Sequence, residues 1–114
     1  MADNIILGVK KEEDPSENRV SIVPKDVKSI IDLGISVHVE KDSGIKAGYS
    51  NQEYESSGAT LVTTLSEKTN IITAVNAFYN TKSKYVKNSS IITLSDIRTN
   101  EEVSRVCEEN DLSL

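Results

Sequence analysis

The chain has 114 residues, 18 acidic against 13 basic side chains, a formal net charge of −5 and 37% apolar residues, which fits one compact domain and excludes two. An acidic balance without clustered Lys and Arg excludes a surface built to displace counterions from a phosphate backbone, so no nucleic-acid partner is expected. No window approaches the roughly 18 apolar residues of a membrane span, and the opening MADNIILGVKKEED lacks the basic-then-apolar order of a secretory signal; a soluble, cytoplasmic-type domain without direct membrane insertion is expected.

The first apolar run, Ile5 to Val9, is short, β-branched and bounded by charge, and reads as a buried strand. Lys10 to Asn18 follows as a charged loop, expected to be solvated, with Pro15 between Asp14 and Ser16 marking a turn. Pro24 suits a first helical position, and Val27, Ile30 and Ile31 repeat at the spacing of one buried helix face. Gly34 closes that helix by taking the left-handed conformation other residues resist.

Ile35 to Glu40 alternates apolar and polar residues, the period of a strand with one better-buried face. Asp42, Ser43, Gly44 and Gly48 then break the chain, and Ser50 with Glu53 forms a capping box for a short helix that ends at Gly58. Thr60–Thr63, Ile71–Val75 and Ser90–Leu94 read as three further strands. Thr99 and Glu102 suggest another capping box, with Val103, Val106 and Cys107 on one helical face, and a last strand begins at Leu112. That strand stops short of a typical length, so either a short terminal strand suffices or, as preferred, residues 1–114 are one domain cut from a longer protein. The alternation predicts an α/β fold: a Rossmann-like (flavodoxin-like) three-layer domain around a mostly parallel sheet.

Cys107 is the lone cysteine and is read as a buried structural thiol. The Gly-x-Gly-x-x-Gly run that lets a backbone approach a pyrophosphate is missing, and Gly44-Ile45-Lys46-Ala47-Gly48 has the wrong spacing to replace it. One His and one Cys, far apart, do not make a metal site, and His38, on the polar phase of its strand, is read as a hydrogen-bonded structural or surface histidine. Arg19 stands apart. It follows the first strand, on the side of a parallel sheet where ligands collect, and it suits either a substrate carboxylate or a structural clamp with Glu12 or Glu17. On physical grounds alone the clamp is preferred.

Gly8-Val9-Lys10-Lys11-Glu12, Glu17-Asn18-Arg19-Val20, Pro24, Leu33-Gly34, Val39-Glu40, Gly44 and Tyr54-Glu55-Ser56-Ser57-Gly58-Ala59 together resemble the N-terminal domain shared by alanine dehydrogenase and the α subunit of proton-translocating NAD(P) transhydrogenase. Val75-Asn76-Ala77 and Asn100-Glu101-Glu102-Val103 are similar to the transhydrogenase branch in particular. Departures are Lys10 and Phe78, where the family usually has Pro, and a shortened stretch from Thr63 to Asn70.

The resemblance implies a Rossmann-like unit without a glycine loop, facing a second domain that holds NAD across a cleft. In alanine dehydrogenases the matching Arg grips the pyruvate carboxylate, which implies Arg19 here. Their catalytic Lys and His fall approximately at Asn76 and Asp96, and an amide with a carboxylate cannot supply the cationic or proton-donating group that reductive amination requires. The expectation is therefore the N-terminal domain of a transhydrogenase α subunit, an oxidoreductase and translocase passing hydride from NADH to NADP+. Alone it is expected to be inactive, to bind no cofactor or metal and to self-associate weakly at most. NAD(H) and NADP(H) belong to the full assembly, as do an NAD-binding second domain and membrane and NADP-binding subunits, with this domain on the cytoplasmic or organelle-matrix side. The family loop rich in Arg, Gln, Asp and Ser that reaches the nicotinamide would lie beyond Leu114. The alternatives are an alanine or opine-type (N-carboxyalkyl amino acid) dehydrogenase and a free-standing non-catalytic binding module.

Overall fold

The computed structural model of the protein describes residues 5–75 and 90–93. Five strands, β1 (Ile5–Val9), β2 (Ile35–Glu40), β3 (Thr60–Val62), β4 (Ile71–Ala74) and β5 (Ser90–Thr93), form one sheet in the order β3-β2-β1-β4-β5. Every pairing is parallel, with Leu7 opposite Val37 on one side and Ile71 on the other. This is the strand order of the doubly wound dinucleotide folds, and with the three-residue edge strand β3 set aside the remaining four follow the flavodoxin order. The progression of strand order reverses between β1 and β4. There the loop leaving β1 turns towards β2, and a crevice opens at the strands' carboxyl ends.

Helix α1 (Pro24–Asp32) starts at proline and ends at Leu33, with Gly34 at φ +90° beyond it. Helix α2 (Asn51–Ser56) carries the capping box in full: the Ser50 hydroxyl accepts from the Glu53 N–H, and the Glu53 carboxylate accepts from the Ser50 N–H. Alternate residues of the central strands, Leu7, Val9, Val37 and Val39, pack beneath Val27 of α1, Tyr54 of α2 and Ala59, so both helices cover one face. The apolar face of α1 has the expected phase, Val27 being fully buried and Ile30 and Ile31 partly so.

On the opposite face, residues 63–70 cross from β3 to β4 without a helix. Leu65 and Thr69 lie over Gly8, where an added Cβ would sit 2.8 Å from both Leu65 methyls. The shortened stretch is thus a close-packed strap, and the missing side chain at position 8 lets it seat on the sheet.

His38 faces this side, away from α1 and α2. It is half-buried, and its Nδ1 is buried with no hydrogen-bond partner, which corrects the expected hydrogen-bonded imidazole. Alternation brings His38 to the same face as Gly8, its partner in the β1–β2 register, over which the strap lies. The proposed helix around Thr99–Cys107 and the strand at Leu112 lie outside the described residues. Among the described residues no helix is long and apolar enough to cross a membrane, and no group of three His, Cys, Asp or Glu side chains is placed to hold a metal ion.

Candidate functional site

The loop leaving β1 is charged in sequence yet tied down in space. Its turn closes through a Glu17 N–H bond to the Asp14 carbonyl at 3.0 Å, with Pro15 in the second position. Glu12 Oε2 accepts from the Val75 N–H at 2.8 Å, joining the loop to the end of β4. Glu40 is 8% exposed. Its Oε1 accepts from the Lys11 N–H at 2.8 Å and faces Lys10 Nζ at 3.7 Å, and its Oε2 accepts from the Leu65 N–H at 3.3 Å. The loop keeps the solvent exposure expected of it, with no residue from 10 to 18 buried, yet several of its groups are tied to the sheet. Charged residues here satisfy backbone donors that the carboxyl ends of parallel strands leave over, and alternation alone does not show that a Glu at the end of β2 will be enclosed.

Between this loop and the ends of β1 and β4 lies a cleft of about 440 Å³, lined by Leu7, Arg19, Val20, Ser21, Ile22, Thr73, Ala74, Val75 and Ile92. It sits at the point where the strand order reverses, the ligand position of open α/β sheets. Its walls are mainly aliphatic, and Ile92 is 59% exposed at its margin. Tyr54 anchors the loop from below, donating its hydroxyl to the Ile22 carbonyl at 2.8 Å. Ser21 Oγ and Thr73 Oγ1 meet at 2.9 Å in the wall.

Arg19 stands at the rim, its side chain 68% exposed. Nε donates to Glu17 Oε2 at 2.9 Å and Nη2 to Oε1 at 3.2 Å, a two-point pairing. The Arg19 backbone N–H also donates to Oε2. These bonds from Arg19 hold the Glu17 carboxyl below the ordinary carboxylate range and raise the guanidinium further. This pairing with Glu17 is the one that the clamp reading of Arg19 describes. The same residue lines a second, polar hollow of about 310 Å³ with Lys11, Glu12, Glu13, Asp42 and Lys46 on its walls. Lys46 Nζ closes it by donating to the Pro15 carbonyl at 2.7 Å.

Asn76 and Asp96 lie outside the described residues, although Val75, the neighbour of Asn76, is on the cleft wall. Sequence reasoning missed Ser21, Thr73 and Glu40, and named Glu12 only as a possible partner of Arg19 rather than as the acceptor for Val75. Ser21 and Thr73 each interrupt an apolar run, which is a signal. Their pairing across 52 positions of sequence is visible only once the fold brings the β1 loop over β4.

Aliphatic walls suit a flat ring. Glu12, Glu13 and Glu17 of the loop after β1 line the second, polar hollow rather than the aliphatic cleft.

A family model described as the N-terminal domain of alanine dehydrogenase/PNT matches residues 8–114. Alanine dehydrogenase 1 of Staphylococcus aureus is 34% identical over 89 residues, covering 77% of this chain and 24% of that protein. Among solved structures, the transhydrogenase from Sinorhizobium meliloti superposes with a TM-score of 0.83 at 28% identity, over 94% of this chain and 33% of its own. An L-alanine dehydrogenase superposes with a TM-score of 0.82 at 23% identity, over 95% and 31%, a likeness of fold. The chain therefore spans about a quarter of the curated relative and about a third of each solved neighbour.

Proposed function

This chain belongs to the family of alanine dehydrogenase/PNT N-terminal domains, and on that premise we propose that it forms one wall of the nicotinamide cleft of a transhydrogenase-type oxidoreductase. In the full assembly, hydride passes from NADH to NADP+. The domain alone is inactive. NAD(H) is held through its diphosphate by a second domain, and NADP(H) by a further subunit of a membrane-associated complex, with this domain on the cytoplasmic or matrix side.

The observation that carries the reading is the state of the cleft at the strand-order reversal. Its walls are aliphatic, and Arg19, the charged side chain among its described lining residues, already has its guanidinium paired at two points with Glu17. Hydride transfer between two nicotinamides needs a dry, shaped wall and no proton donor, which an aliphatic surface supplies. Reductive amination needs a free cation for the carboxylate and an acid near the keto oxygen. The resemblance implies Asn76 and Asp96 at the approximate positions of that lysine and histidine, which supports the same choice.

The position of Arg19 on the cleft rim favours one other reading, a 2-oxo acid dehydrogenase of the alanine or opine type in which substrate displaces Glu17. The two separate cleanly in the enzyme that carries this domain. Reduction of thio-NADP+ by NADH with no keto acid added is expected. Oxidation of NADH that requires pyruvate and ammonium, and that Arg19→Ala abolishes, would contradict the proposal.

A further inference from the structure

The cleft wall has one polar feature that its aliphatic lining does not explain. Ser21 Oγ lies 2.9 Å from Thr73 Oγ1, and Thr73 Oγ1 donates to the Gly8 carbonyl at 3.2 Å. Either hydroxyl of the Ser21–Thr73 pair could donate by distance alone, and counting protons assigns the direction. A carbonyl oxygen only accepts, so the single hydroxyl proton of Thr73 points to Gly8, and the Thr73 oxygen accepts from Ser21. The Ser21 proton is thereby committed. Its oxygen keeps lone pairs directed elsewhere, so Ser21 accepts from a bound molecule and does not donate to one. The arrangement is rigid at its base, because Gly8 is buried in β1 and Thr73 is 5% exposed in β4.

An acceptor set among Leu7, Ile22 and Ala74 is mismatched to a carboxylate or a keto oxygen, since those are acceptors too. It is matched to an N–H donor carried on a flat apolar ring. We propose that Ser21, oriented by Thr73, is a specificity-determining residue that accepts a hydrogen bond from the amino group of the nicotinamide carboxamide. This deepens the proposed function and rests on it.

The test compares NAD+ with its 3-acetylpyridine analogue, in which a methyl group replaces that amino group and the carbonyl is retained. Calorimetric titration of the enzyme that carries this domain should give binding of NAD+ roughly fivefold tighter than the analogue, the worth of one ordinary hydrogen bond. Ser21→Ala should bring the ratio close to one. Thr73→Val, which keeps the shape of the wall but releases the Ser21 proton, should narrow it as well and provides the decision if Ser21→Ala does not fold. An unchanged ratio in the folded variants would overturn the assignment of Ser21 while leaving the proposed function in place. Failure of the unaltered enzyme to bind either dinucleotide would overturn the proposed function, and this inference with it.

Discussion

The ring of Tyr54 is fully buried and its hydroxyl supports the Ile22 carbonyl, so a single side chain of α2 sets the height of the loop that forms the cleft. Burial, with smaller contributions from Tyr49 and Glu53, pushes the phenol up from 10.0 to about 12. The folded state therefore favours the protonated phenol: its contribution is complete below the ordinary value and is lost as pH rises through about 12. Tyr54→Phe should cost about 1 kcal/mol at neutral pH, because the Ile22 carbonyl loses its donor. It should also flatten the loss of stability on the alkaline side, and thermal melts across that range check both. Glu17 runs the other way. Arg19 holds its carboxyl below the ordinary 4.5, so its contribution is present above that value and is lost as pH falls through the lowered one. Glu17→Gln should weaken the dependence of stability on pH in the acid range, as read by acid unfolding.

The elements themselves were largely legible. Pro24 opens α1 and Gly34 follows its end because one fixes a helical φ and the other tolerates a positive one. The Ser50–Glu53 box was readable from spacing alone and forms as written. Ser50→Ala should therefore destabilise the domain by about 1 kcal/mol, measured by urea unfolding, since α2 is short and its first N–H groups have few other acceptors. Gly44 is less obvious. A Cβ there would lie 2.6 Å from the Tyr54 ring and 2.8 Å from its hydroxyl, so the bend before α2 must pass close to the residue that props up the cleft. What spacing could not reveal was burial set by neighbours: Glu40 looks solvent-facing on an alternating strand, yet the loops after β1 and β3 converge on its carboxylate.

At the scale of the whole molecule, Glu40 fastens the cleft loop and the β3–β4 strap to one strand end. Glu40→Ala strips two backbone N–H groups, those of Lys11 and Leu65, of their acceptor, and should cost about 2–3 kcal/mol in denaturant unfolding. The fold class was legible because strands and helices alternate. Arg19 was found from sequence, while its partner was left open between Glu12 and Glu17 because loop geometry decides which carboxylate the fork meets. The Ser21–Thr73 pair depends on the β1 loop folding over β4, which no local pattern encodes. The central claim is that this chain shapes the wall beside a nicotinamide ring and leaves the diphosphate to another domain. Calorimetric titration of the 114-residue chain with NADH tests it most directly: no saturable binding in the micromolar range is expected, and a micromolar Kd would contradict the account.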